Sequence, residues 1–172
     1  MAQTKRSVDE HLDEWLRDAH AMEEQAGTML AAMARRLEHY PALRARLEQH
    51  LRETQEHARL IRECVGRRGS DVSAIKDFGA RSLAALQAFT AMFSADEPIK
   101  NAISCFAFEN FQIAAYRTLI STARTAGDTA TLTVCERILP EEIAMAHWLE
   151  QHLPEIVNAY LARAHEDTPA QP

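Results

Sequence analysis

Residues Leu12–Leu37 read LDEWLRDAHAMEEQAGTMLAAMARRL. Stepping along them by four and three residues in turn gives Leu12, Leu16, Ala19, Glu23, Ala26, Leu30, Met33 and Leu37, apolar everywhere except at Glu23. Positions at that spacing line one face of an α-helix and turn it toward a core. The same walk gives Ile99, Ala102, Phe106, Glu109, Ile113, Tyr116, Ile120 and Ala123, interrupted only by Glu109. It gives Leu132, Cys135, Leu139, Glu142, Ala146, Leu149, Leu153 and Ile156, interrupted only by Glu142. A further helix, Leu43, Arg46, His50, Glu53, His57, Leu60 and Cys64, is polar through its middle. Four amphipathic helices, each with an acidic residue on its inner seam, predict an all-α bundle.

Local signals set the helix ends. Ser7 and Glu10 have capping-box spacing and start the first helix, which the pattern carries to about His39. Pro41 suits the first turn of the second helix, which is expected to reach Val65 and stop in the breaker-rich stretch from Gly66 to Asp71. Between 72 and 95 the pattern weakens to an extra helix through Leu83, Leu86, Phe89 and Phe93. Pro98 opens the third long helix, Gly127 ends it and Asp128 caps the fourth, which Pro140 is expected to kink. The fourth helix fades near His165. Residues 1–166 are expected to form a single domain, with a disordered tail over 167–172. Two tight hairpins joined by a connection of about thirty residues predict a ferritin-like four-helix bundle, its long crossover carrying the extra helix.

That topology sets the heights of the carboxylates. Glu23 lies 17 residues before Tyr40 and Glu53 lies 13 after it. Glu109 lies 18 before Gly127 and Glu142 lies 15 after. At about 1.5 Å per residue these mismatches amount to a helical turn or less, so all four are expected in one layer. Four like charges there cannot all stay ionised without cations or shared protons. Arg46 is on the seam but two turns from Glu53, and carboxylates with imidazole suit iron or manganese. Two such ions are the expected cofactors, with Glu53 and Glu142 bridging, Glu23 and Glu109 terminal, and His50 or His57 adding a nitrogen. The Glu-x-x-His pattern of di-iron bundles is incomplete: Glu56 follows Glu53 at three residues and Met145 follows Glu142. The bland alternative is a hydrated or hydrogen-bonded polar layer. His11, His20, His39 and His165 read as surface or helix-end residues.

Composition excludes other classes. A net charge of -6 argues against nucleic-acid binding, and no apolar run approaches the ~20 residues that span a bilayer. The polar N-terminus has no signal-peptide core. Cys64, Cys105 and Cys135 are odd in number and fall on apolar faces, as buried free thiols of a reducing cytoplasm do. The chain has no nucleophile elbow, no phosphate-binding glycine loop and no Cys-x-x-Cys. No substrate can be read from it.

The stretches from Asp18 to Gln25, from His50 to Thr54, from Phe108 through Glu109 and Tyr116 to Leu119, and Glu141 with Glu142 resemble the YciE/YciF family of bacterial ferritin-like proteins. The resemblance spans nearly the whole chain. It implies a homodimeric bundle linked to bacterial stress responses, with no established biochemical activity. The segment Leu83 to Phe93 would add a second apolar face for the dimer. The family pattern tends to have a second Glu where this chain has Gln112 and an acidic residue where it has Ala146, and both departures remove potential ligands. Three functions compete: a metal-binding ferritin-like protein with an oxidase or peroxide-consuming centre, a non-catalytic homodimeric bundle that has lost its metals, and an iron-storing cage.

Overall fold

In a computed structural model, residues 7–69 and 98–165 are described. They form four helices: α1 (Val8–Ala34), α2 (Pro41–Arg67), α3 (Pro98–Ala126) and α4 (Thr129–His165). The fold is the all-α, ferritin-like four-helix bundle. α1 packs on α2 and on α3, and α4 packs on α3 and on α2. α2 and α3 are therefore not hairpin partners, which the long connection between them permits. The extra helix expected around Leu83 to Phe93 and the tail lie outside the described residues.

The helix ends follow the local chemistry. Ser7 and Glu10 form a reciprocal capping box, with Ser7 N–H donating to Glu10 Oε2 at 2.7 Å and Glu10 N–H to Ser7 Oγ at 3.2 Å. Gly127, at φ 72°, supplies the left-handed residue after α3, and Asp128 N–H reaches back to the Ala123 carbonyl at 2.9 Å. Asp128 then caps α4 by accepting from Thr131 N–H at 3.0 Å. α1 stops at Ala34 rather than near His39. The chain turns there while Leu37 and Tyr40 remain buried, so their apolar spacing belongs to the turn. α4 continues through Pro140 and Pro154.

One cation ties down the end of the bundle. Arg68 Nη2 lies 2.9 Å from Asp9 Oδ1, its Nη1 lies 2.9 Å from Asp128 Oδ2, and its Nε donates to Asp13. The end of α2 is thus fastened to the starts of α1 and α4.

The core is divided in two. One half gathers Leu12, Leu16, Ile61, Cys64, Tyr116, Leu119, Cys135 and Ile138. The other gathers Leu30, Leu37, Leu43, Leu47, Ala102, Cys105, Met145 and Leu149. Each fully buried leucine or isoleucine contributes about 1.5–3 kcal/mol. On α2 and α4 the two halves part at polar residues, His50 to His57 and Glu142, while Glu23 on α1 and Glu109 on α3 lie within a few residues of the boundary; these residues form the layer described next.

Candidate metal centre

Glu23, Glu109 and Glu142 come from α1, α3 and α4, and α2 contributes His50 and His57. All five are buried, with exposures of 0–1%. Charged side chains are almost never so deep unless paired or coordinated. The two histidines lie seven residues apart, two turns of one helix face, with their ring centroids 6.4 Å apart.

Two groups of donors converge. Glu23, His57 and Glu142 each offer an atom within 4.8 Å of the others, and so do His50, Glu109 and Glu142. Either group can hold a metal ion, and Glu142 belongs to both. His57 Nδ1 is 2.9 Å from Glu142 Oε1 and 3.8 Å from Glu23 Oε2. His50 Nε2 is 3.1 Å from Glu109 Oε2 and 3.4 Å from Glu142 Oε2.

The remaining atoms of these side chains are held from outside. Tyr116 and Gln112 both donate to Glu23 Oε1, Gln112 from 3.2 Å. The Cys105 thiol lies 3.5 Å from Glu109 Oε1. His50 Nδ1 bonds Glu53 Oε2 at 2.8 Å, and His57 Nε2 bonds Glu141 Oε2 at 2.6 Å. By contrast Glu23 Oε2, Glu109 Oε2, His50 Nε2, His57 Nδ1 and both Glu142 oxygens are buried and complete no hydrogen bond. Buried polar atoms normally find partners. Here six orphaned atoms belong to the two donor groups that share Glu142, and each imidazole has its far nitrogen tied to a carboxylate, as metal-ligating histidines do. The donor set fits a pair of cations.

Electrostatics also allow the layer to exist without them. Burial disfavours a charged His50, but the carboxylates of Glu109, Glu142 and Glu53 outweigh it and lift its pKa to about 12. The same contest, won by Glu142 and Glu23, lifts His57 to about 8. Burial and then the Glu142 charge push Glu23 up to about 8, and burial raises Glu109 to about 7 despite His50. Glu142, beside both imidazoles, is drawn down to about 2 against its own burial. The layer thus carries its own cations, which a count of lysine and arginine alone overlooks.

Glu53 differs from the other three carboxylates. It lies on α2 with its side chain 23% exposed, behind His50 rather than beside Glu142. Gln49 Nε2 donates to it at 2.8 Å and Arg46 Nη1 approaches to 3.4 Å, so Arg46 spans the two turns that its position on the seam implied. His50 first and then Gln49 and Arg46 hold its pKa near 2. Thr54, rather than Glu53, takes the buried place between the two histidines. α3 is rotated relative to its sequence pattern: Cys105, Gln112 and Leu119 are buried, while Phe106, Ile113 and Ile120 are half-buried. Ala102, Glu109, Tyr116 and Ala123 stay buried as the seam implied, but apolar residues on several faces of the helix blur its edges. His20, expected at the surface, is buried, with Arg62 Nε donating to its Nε2 at 3.1 Å. Glu141 escaped the pattern because it lies one residue off the seam.

Paired antiparallel hairpins around a buried carboxylate–imidazole layer define a ferritin-like bundle protein. The chain belongs to the family described as a domain of unknown function, DUF892, whose model matches residues 7–162. It is similar to a crystal structure from Xanthomonas campestris pv. campestris, with 40% identity, a TM-score of 0.78, and coverage of 92% of this chain and 99% of that one. YcfI from Rhodopseudomonas palustris is 25% identical, with a TM-score of 0.68 and coverage of 87% and 97%. The stress protein YciF from E. coli shares the fold at 19% identity, with a TM-score of 0.71 and coverage of 90% and 99%. These likenesses agree with the YciE/YciF resemblance.

Proposed function

We propose that this protein is a binuclear metal-binding bundle holding two iron or manganese ions. One ion would be held by Glu23, His57 and Glu142, the other by His50, Glu109 and Glu142, with Glu142 bridging. The observation that carries this reading is the set of six orphaned donor atoms, gathered in two groups that share Glu142. Hard carboxylate oxygens with one imidazole nitrogen per ion suit iron or manganese. Such ions supply redox or Lewis-acid chemistry when bound. The chain's part is to fix the ligands and keep water out. Tyr116, Gln112 and Cys105 orient the terminal carboxylates, Glu53 and Glu141 set the histidine tautomers, and the apolar halves of the core seal the layer from both ends.

We place the protein in the bacterial cytoplasm, as a homodimer acting under stress. Three buried free thiols suit a reducing compartment. No helix among the described residues is long and apolar enough to cross a membrane. The stress role rests on the family resemblance and on the name carried by YciF. The dimer rests on the resemblance and on apolar side chains left at the surface of α3 and α4: Ile103, Phe111 and Ile143, with Phe111 60% exposed.

A second reading has one observation in its favour. His50 approaches two carboxylates at once, so protonated imidazoles can pin the layer in a metal-free, non-catalytic bundle. Metal analysis of protein purified without chelator separates the two. Two equivalents of iron or manganese per chain support the binuclear reading, and a metal-free protein that also takes up neither ion on addition contradicts it.

A further inference from the structure

Five groups hold the ligands of the centre from outside, and they differ in how they meet solvent. Tyr116, Gln112 and Cys105 are fully buried. Glu53 is 23% exposed, and Arg46 lies 3.4 Å away to offset its charge. Glu141 is 42% exposed, and among the described residues its one cationic partner is His57 itself.

The ring of His57, 1% exposed, lies between the part-exposed Glu141 and the buried Glu142 and Glu23. Its Nε2 faces Glu141 at 2.6 Å, and its Nδ1 faces Glu142 at 2.9 Å and Glu23 at 3.8 Å. The neighbouring link between the same two helices is slight. Arg137 of α4 reaches Glu56 of α2 at 3.8 Å, both side chains being exposed, and such a pair adds little to stability.

We propose that Glu141 is the port by which a divalent cation reaches the centre, captured by the exposed carboxylate while the ring of His57 is released. The proposal rests on the binuclear reading above. A cation that takes Glu141 Oε2 competes for the oxygen that latches the ring through Nε2–H. Once unlatched, the ring is free to turn about its side-chain torsions and open the path to the orphaned oxygens of Glu23 and Glu142. When it returns, Nδ1 completes the first ligand group. No bond to carbon forms or breaks, and the cation exchanges water for carboxylate and imidazole.

The test is rapid mixing of Co2+ with metal-free full-length protein, followed by the visible absorption of the bound ion. Glu141→Gln removes the charge and keeps an oxygen to accept from His57 Nε2–H. It is expected to load about tenfold more slowly, the lower end of what a local field does to capture rates, and to reach the same stoichiometry. Glu155→Gln, at an exposed site on the same helix, should load at the wild-type rate. Wild-type loading should also slow as salt rises, a measurement independent of any variant. Equal rates for Glu141→Gln and wild type, equal slowing by Glu155→Gln, or a wild-type rate indifferent to salt would each overturn the port while leaving the binuclear centre standing. A wild-type protein that takes up no Co2+ would remove both.

Discussion

Glu142 Oε1 stands 2.9 Å from His57 Nδ1, and neither atom completes a hydrogen bond. A donor and an acceptor in reach of each other would normally align, because leaving both unsatisfied costs roughly 1–3 kcal/mol each. Two buried atoms this close that leave their hydrogen-bonding capacity unused suit a cation held by both. The same carboxylate repeats the arrangement with its other oxygen toward His50, which makes Glu142 the residue on which both halves of the layer depend.

Replacing Glu142 with glutamine should therefore have two effects. Cation binding is lost in both groups. The metal-free protein is destabilised by about 3–5 kcal/mol, because two buried imidazoles lose their shared anion. Urea unfolding with and without Mn2+ measures both. A variant as stable as wild type would mean that the imidazoles are neutral and the layer is not held by charge.

Glu53 is expected to act on metal through His50. Glu53→Ala should weaken affinity by about 10–100-fold, whereas Glu53→Gln, which still accepts from Nδ1–H, should retain most of it. Titration calorimetry with Mn2+ distinguishes this from direct ligation, in which both variants would fail alike.

Tyr116→Phe removes the hydroxyl from Glu23 Oε1 and leaves Gln112 as its partner. The expected loss is about 1–3 kcal/mol of stability, since a buried carboxylate oxygen loses a donor. Thermal unfolding checks it. A change below ~0.5 kcal/mol would show that the bond is incidental to stability.

Asp128 sets an acid limit on the hairpin of α3 and α4. Burial opposes its ionisation, but Thr131 and Arg68 hold its carboxyl near 2, below its ordinary 3.8. A depressed acid contributes stability above the unfolded value and loses it as pH falls through the folded one. Stability should fall between about pH 4 and pH 2, and Asp128→Asn, which still caps α4, should flatten that fall. Asp128→Ala should cost about 1 kcal/mol at neutral pH through the lost cap. Chemical unfolding across the acid range provides the comparison.

How much of this was legible depended on the contrast within each helix. α1 and α4 carry one apolar stripe apiece, so Glu23 and Glu142 stood out in sequence as they do in space. α3 carries apolar residues on several sides; Glu109 and the burial of Cys105 were legible, but the approach of Cys105 to Glu109 and the bond from Gln112 to Glu23 were not. On α2 the seam drifts at 3.6 residues per turn, and both Glu53 and Thr54 fit between the histidines. Only packing shows that Thr54 faces inward. Glu141 carried no periodic signal at all, because its role comes from a histidine 84 positions earlier in the chain.

The most direct measurement is an anomalous-difference map from crystals of the protein grown with Mn2+. Two peaks roughly 3.5–4 Å apart should flank the Glu142 carboxylate, one beside Glu23 and His57 and the other beside His50 and Glu109. A layer with no peak, or with manganese bound only at surface carboxylates, would contradict the binuclear centre and leave the histidine–glutamate cluster as the structure's own solution to its buried charge.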